Sequence, residues 1–267
     1  MSDILSVNFH LWQSCNMSCG YCFNSNRSRG AIPDESRQRD IVALLCQYGF
    51  SKISFVGGEP TLCPWLTDLA CICKDRSVTT MLITNGKLLH KTDLSAFDWV
   101  GLSIDSFSQE TCNSIGRDGE LDYFKLSDLI RANKCRLKVN TVVSKLNMHE
   151  DFTSNIIHLA PERWKVMQVL EIKGQNDLNF ERYAIDSDEF GDFVSRHRSI
   201  TQLCSESNEA MRSSYLIVDH SGALLDNSSG EYRKSDSILD IGVERALEQI
   251  RFDYDKFIGR DALYDWR

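Results

Sequence analysis

The sequence predicts an α/β protein: a partial (β/α)6 barrel of the TIM type followed by a C-terminal extension. Three observations carry this expectation. Short β-rich apolar runs recur six times before residue 173, and the stretches between them place apolar residues at the three- and four-residue intervals of amphipathic helices. Polar and glycine-containing motifs stand at the ends of the runs, where a barrel of parallel strands places its chemistry.

The runs at 4–12 (ILSVNFHLW), 52–58 (KISFVGG), 79–85 (TTMLITN), 99–105 (WVGLSID), 136–143 (RLKVNTVV) and 163–172 (RWKVMQVLEI) are rich in branched and aromatic side chains, which suit a pleated surface. The intervening segments, DESRQRDIVALLCQYG and PWLTDLACICKD among them, read as helices. Consecutive strands are therefore joined by right-handed crossovers and run parallel. After residue 173 the pattern weakens into a polar loop (KGQNDLN), a helix near 187–198, a strand at 214–219 (SYLIVD) and a hairpin return at 223–226 (ALLD) turned by Gly222. SSGEYRKSDS then reads as a polar loop and IGVERALEQI as the last helix. The chain divides into residues 1–185, the barrel, and 186–267, the extension.

Of 267 residues, 42% are hydrophobic, enough for one substantial core. No stretch approaches the ~20 apolar residues that span a bilayer, and the start has no basic-then-apolar leader. The expectation is a cytoplasmic protein without membrane contact. A formal net charge of −8 argues against a nucleic-acid surface but leaves room for a local basic pocket. The ten cysteines are scattered apart from one tight group, which fits a reducing compartment and a metal-binding group. Cys71 and Cys73, two apart in a helical pattern, read as packing residues.

Cys15, Cys19 and Cys22 stand at C-x3-C-x2-C spacing directly after the first run. A closed structural zinc site wants a fourth ligand, and His10, the nearest histidine, lies within the strand. Three thiolates on a four-iron cluster leave one iron open to a small molecule. A zinc or electron-transfer site, or three unrelated buried cysteines, remain alternatives at this level. Gly57, Gly58, Glu59 and Pro60 end the second run as GGEP, where glycines let the backbone approach a ligand and the acid can receive an ammonium group. An ordinary turn could have the same sequence.

C-x3-C-x-aromatic-C after a first strand, with Tyr21 at the aromatic position, resembles the radical S-adenosylmethionine (SAM) enzymes. The resemblance implies a [4Fe–4S] cluster on Cys15, Cys19 and Cys22, with SAM chelated by the open iron. It also implies an external electron donor and cleavage of SAM to methionine and a 5′-deoxyadenosyl radical. Around SAM it places Tyr21, Gly57, Gly58, Glu59, Asn85, Ser103, Asp105 and Arg117, the last pairing with the methionyl carboxylate.

Longer segments, among them SVNFHLWQSCNMSCGYCF, FSKISFVGGEPTL, LKVNTVVSKLN, ERWKVMQVLEIKGQN and ESNEAMRSSYLIVD, are similar in this order to the viperin family of radical SAM enzymes. That resemblance implies a ribonucleoside triphosphate substrate, CTP favoured over UTP or GTP. Its product is a 3′-deoxy-3′,4′-didehydro nucleotide that terminates viral RNA synthesis. The nucleotide contacts it implies are Asn8, Lys52, Lys138, Asn140, Arg163, Lys165 and Tyr215, with Tyr215 the catalytic candidate as proton source. Residue pattern agrees: Lys138 and Asn140, and Arg163 and Lys165, form i, i+2 pairs facing one side of their strands. Inward cations in a barrel are expensive unless a ligand meets them; outward, solvated faces are the plainer reading.

Departures from the vertebrate members point to a prokaryotic type. Val56 precedes GGEP where those have serine, and no amphipathic segment precedes the first strand. The ending FIGRDALYDWR lacks a glycine pair after its arginine, which leaves base selectivity less assignable. The extension is expected to cover the nucleotide site, and the chain to act as a monomer. Two other readings are a radical SAM enzyme that modifies a peptide or protein and a degenerate barrel that only binds partners. Cys204 is the only cysteine after Cys135, too few for the second cluster domain common in peptide modifiers.

Overall fold

The computed structural model describes residues 6–24, 33–260 and 264–266. Its centre is a run of parallel strands in chain order: β1 (Ser6–Trp12), β2 (Lys52–Gly57), β3 (Thr79–Thr84), β4 (Trp99–Ser103), β5 (Arg136–Val143), β6 (Arg163–Gln168) and β7 (Leu203–Glu206). On the far side of β1 lies β8 (Ile217–Asp219), also parallel, followed by antiparallel β9 (Ala223–Asp226) and β10 (Arg233–Ser237). All six expected barrel strands form, each inside its expected run.

The differences have physical reasons. β7 escaped the sequence pattern because LCSE is four residues long and carries no apolar alternation. β10 lies in the segment expected to be a polar loop: RKSDS is an exposed edge whose hydrogen bonds need no apolar face. IGVERALEQI is not the last helix, since a turn capped by Asp253 starts another at Tyr254–Gly259. Strands β7 and β8 both come from beyond residue 185 and continue the barrel's sheet at its two edges.

Helices α1 (Glu35–Tyr48), α2 (Leu66–Lys74), α3 (Gln109–Ile115), α4 (Tyr123–Ala132), α5 (Thr153–Leu159) and α6 (Ser187–Arg196) supply the crossovers, two of them between β4 and β5. The exception is from β3 to β4, where the expected helix is only a 3-10 turn at Leu89–Lys91. Helix α1 shows how local chemistry sets their limits: Asp34 accepts a hydrogen bond from Arg37 N, and Gly49, at φ 103°, ends the last turn. Its buried Ile41, Val42 and Leu45 join Phe9, Phe55, Val100, Val139 and Trp164 of the strands in one core between sheet and helices. Fully burying side chains of this size contributes about 1.5–3 kcal/mol each. Cys73 packs in this core; Cys71 is exposed, contrary to the expectation for it, because it lies on the outer face of α2. Among the described residues, no helix is long and apolar enough to cross a membrane.

With one strand face buried against helices, the alternate residues point into the barrel. Asn8 and His10 of β1, Lys52 and Ser54 of β2, Lys138 and Asn140 of β5, and Arg163 and Lys165 of β6 all line a single cavity. Gly101 of β4 keeps that interior open, since a Cβ there would crowd the side chains of Ile83 and Asn140.

Candidate active site

The cysteine loop follows β1 and is clamped from two sides. Gly58 N donates to Trp12 O at 2.5 Å and Glu59 N to Ser14 O at 2.8 Å, while Ser18 N and Gly20 N donate to Gly116 O and Ile115 O at 3.0 and 2.9 Å. A Cβ on Gly57 or Gly58 would overlap the carbonyl oxygens of Trp12 or Ser14, and one on Gly116 that of Ser18. The glycines of GGEP therefore admit the cysteine loop's own backbone, where the sequence suggested room for a ligand. Cys15, Cys19 and Cys22 line the cavity, and none is in a disulfide.

The donor set fits a cluster. Among the described residues no three His, Cys, Asp or Glu side chains are placed to hold a single metal ion. A [4Fe–4S] cluster instead asks each cysteine for a different iron and accepts a wider spacing. Burial pushes the Cys19 thiol up to about 12, against the pull of Arg117, so its thiolate depends on the charge of bound metal.

Around the loop, the acids expected near SAM are already anchored. Buried Glu59 accepts from Thr61 N (3.1 Å), Thr61 Oγ1 (2.6 Å), Thr84 Oγ1 (2.6 Å) and Asn85 N (2.8 Å), tying the end of β2 to that of β3. The Asn85 amide donates to Asn16 Oδ1 at 2.7 Å and stands 3.8 Å from Cys15 Sγ. Asp105 Oδ2 accepts from the Tyr21 hydroxyl and from Arg117 Nε, its Oδ1 accepts from Val142 N at 2.7 Å, and Arg117 Nη1 donates to Ser103 O at 3.2 Å. Tyr21, Ser103, Asp105 and Arg117 thus form one network joining the cysteine loop to the end of β4.

The cations occupy the opposite end. Lys52 and Arg163 are the first residues of β2 and β6, and Lys138 and Lys165 the third of β5 and β6. This corrects the expectation that all functional residues gather at the C-terminal strand ends: the cavity runs lengthwise through the barrel, with the cysteines at one end and positive charge at the other. Lys52, Lys138, Arg163, Lys165 and also Arg260 are each 9% exposed or less, so the solvated reading of these side chains fails.

Among the described residues lining this end of the cavity, Glu206 at the end of β7 is the carboxylate paired with Lys165 and Arg260. It lies 2.7 Å from Lys165 Nζ and 3.1 Å from Arg260 Nη1, and accepts the Tyr215 hydroxyl proton. Burial pushes Glu206 up, but Lys165 and Arg260 outweigh it and hold the carboxyl at about 2. Burial brings Lys165 down to about 8, and burial with neighbouring positive charge puts Lys52 and Lys138 well below the ordinary lysine range. Tyr215 precedes β8 rather than lying in it, and its hydroxyl accepts from Lys165 Nζ. The Tyr264 ring covers Arg163 (4.2 Å to the centroid) and Lys52 (4.5 Å), with the Trp266 ring 4.2 Å from Lys52. Sequence reasoning missed Glu206, Arg260, Tyr264 and Trp266 as site residues. None lies on a strand that the apolar pattern reveals.

The radical SAM superfamily model matches residues 10–153, from β1 to the start of α5. Over 281 aligned residues the chain is 41% identical to the S-adenosylmethionine-dependent nucleotide dehydratase of Flammeovirga pacifica, covering 99% of this chain and 97% of that protein. This chain belongs to the S-adenosylmethionine-dependent nucleotide dehydratases. The dehydratase of Oncorhynchus mykiss is 37% identical, with 98% of this chain and 80% of that protein covered. The fold is also similar to the crystal structure of Streptococcus suis SuiB bound to S-adenosylmethionine. There the TM-score is 0.69 at 16% identity, over 97% of this chain and 68% of that one. The radical SAM family to which this dehydratase belongs uses a [4Fe–4S] cluster and SAM, and Cys15, Cys19 and Cys22 are the residues here that would hold the cluster.

Proposed function

We propose that this enzyme removes water from a ribonucleoside triphosphate, CTP ahead of UTP and GTP, to give its 3′-deoxy-3′,4′-didehydro analogue. The supporting observation is a cavity that joins the cysteine loop to a cluster of five buried basic side chains, two of which share Glu206. Burying so many basic groups together is costly, and an entering polyanion would offset that cost. A triphosphate placed there directs its ribose back toward the cysteines.

When bound, the cluster and SAM supply abstraction of the ribose 4′ hydrogen. The protein's own groups do the rest. Gly57, Gly58, Glu59, Asn85, Ser103, Asp105, Arg117 and Tyr21 shape the SAM end. Lys52, Lys138, Arg163 and Lys165 hold phosphate oxygens, and Asn8 and Asn140, midway along the cavity, orient the ribose. Tyr215 Oη gives a proton to the departing 3′ hydroxyl, which leaves as water, and Lys165 Nζ, already donating to Tyr215, restores it. Residues 186–267 act as the extension that completes the nucleotide end, supplying Glu206, Tyr215, Arg260, Tyr264 and Trp266. An external electron donor must supply two electrons, one for SAM cleavage and one to reduce the ribose radical left when water departs. The reading is of a cytoplasmic monomer, without nucleic-acid or membrane partners, whose product ends viral RNA chains because it lacks a 3′ hydroxyl.

The test is to incubate reconstituted, reduced enzyme with SAM and each ribonucleoside triphosphate in turn, measuring 5′-deoxyadenosine and nucleotide mass. The expected product is one water lighter than its parent, and a 4′-deuterated substrate passes its label to 5′-deoxyadenosine. Cys19→Ala is expected to lose both iron and SAM cleavage. If no triphosphate stimulates 5′-deoxyadenosine formation, the substrate reading is wrong.

A further inference from the structure

Glu206 is at odds with its surroundings. A carboxylate among phosphate-binding cations repels the triphosphate, so its place there has to be explained by something other than affinity. Its contacts show what it holds. The Tyr215 hydroxyl donates to it, and Lys165 Nζ lies 2.7 Å away. Arg260 Nη1 is at 3.1 Å, while Arg260 Nε and Nη2 are braced on Ser214 O at 3.2 and 2.9 Å. Both cations also sit against the Tyr215 ring: the Arg260 guanidinium carbon is 3.8 Å and Lys165 Nζ 4.6 Å from its centroid. The phenol is thus held by two cations whose shared counterion is Glu206.

We propose that Glu206 is the positioning residue of the dehydration: it aims the Tyr215 hydroxyl and keeps Lys165 beside it, and it is not a determinant of nucleotide affinity. This inference rests on the nucleotide dehydration proposed above. The Tyr215 proton points to Glu206 in the structure, so delivery to substrate requires only rotation of the phenolic O–H about its C–O bond. Glu206 stays ionised throughout. Lys165 refills the phenol, and the bond broken at nitrogen is replaced by one at oxygen.

The test uses Glu206→Gln, which keeps shape and removes charge, and Glu206→Asp, which keeps charge. In Glu206→Gln, calorimetric binding of CTP to the cluster-free protein is expected to stay equal or tighten. The dehydrated nucleotide formed per 5′-deoxyadenosine falls about tenfold, less than the ~10²–10⁴ expected if the acid–base group itself were removed. Without nucleotide, the Tyr215 phenol, read by ultraviolet difference titration against a Tyr215→Phe control, ionises at lower pH once the neighbouring charge is gone. Glu206→Asp recovers part of the product ratio. Unchanged product ratio with CTP binding weakened about tenfold or more would make Glu206 an organiser of the phosphate cations and overturn the proposal. If wild-type enzyme processes no nucleotide, the dehydration reading fails separately and the phenol titration alone decides: no shift in Glu206→Gln sinks the positioning role.

Discussion

Lys165 is a side chain whose charge changes within an ordinary pH range, as the still more depressed Lys52 and Lys138 beside it also lose charge readily. Burial sets the titration of Lys165 at about 8, so it is cationic below that pH and loses its proton above it. A bound triphosphate favours the charged form, so binding near pH 8 takes up protons. Two outcomes are expected between pH 7 and 9: nucleotide Kd rises, and the calorimetric binding heat depends on the ionisation enthalpy of the buffer. Arg163→Ala removes a phosphate contact but leaves Lys165 in place, so it weakens binding without removing the pH dependence. Each of Lys165→Ala and Arg163→Ala should cost about 1.5–3 kcal/mol of binding, the scale of a charged hydrogen bond. The cations were legible in the sequence because i, i+2 charges on a barrel strand are anomalous. Glu206 and Arg260 were not, because a single charge in a polar segment is ordinary until the fold closes around it.

At the level of elements, the fit between β2 and the cysteine loop decides whether the cofactor end can form. Gly58→Ala sets a methyl group against the backbone oxygen of Ser14, which cannot move aside as a side chain can. The expected result is a folded protein with a near-normal circular dichroism spectrum that retains markedly less iron after reconstitution. Full iron content in this variant would show that the loop tolerates displacement. GGEP was recognisable as a motif, yet its packing against the cysteine loop's backbone was not, since sequence spacing cannot tell which backbone a missing Cβ makes room for. The six barrel strands were legible because apolar runs alternate with helical periods. β7 and β10 were hidden because they are held by neighbours and hydrogen bonds rather than by an apolar face.

For the whole molecule, the lengthwise cavity separates two kinds of recognition, and in the proposed function the basic end holds the phosphates, a part of the nucleotide that dehydration leaves untouched. The proposed reaction alters only the ribose, so a triphosphate substrate and its product present the same phosphates to the same buried basic side chains. Binding energy shared equally by the two gives no preference for release. Departure of product, rather than events at the ribose, is then expected to set the steady-state rate. In equilibrium binding, purified product should show a Kd within about tenfold of that of its parent triphosphate, because the ribose contributes the only difference. A single-turnover rate well above the steady-state rate would accompany it. An enzyme built this way suits slow accumulation of its product better than rapid flux.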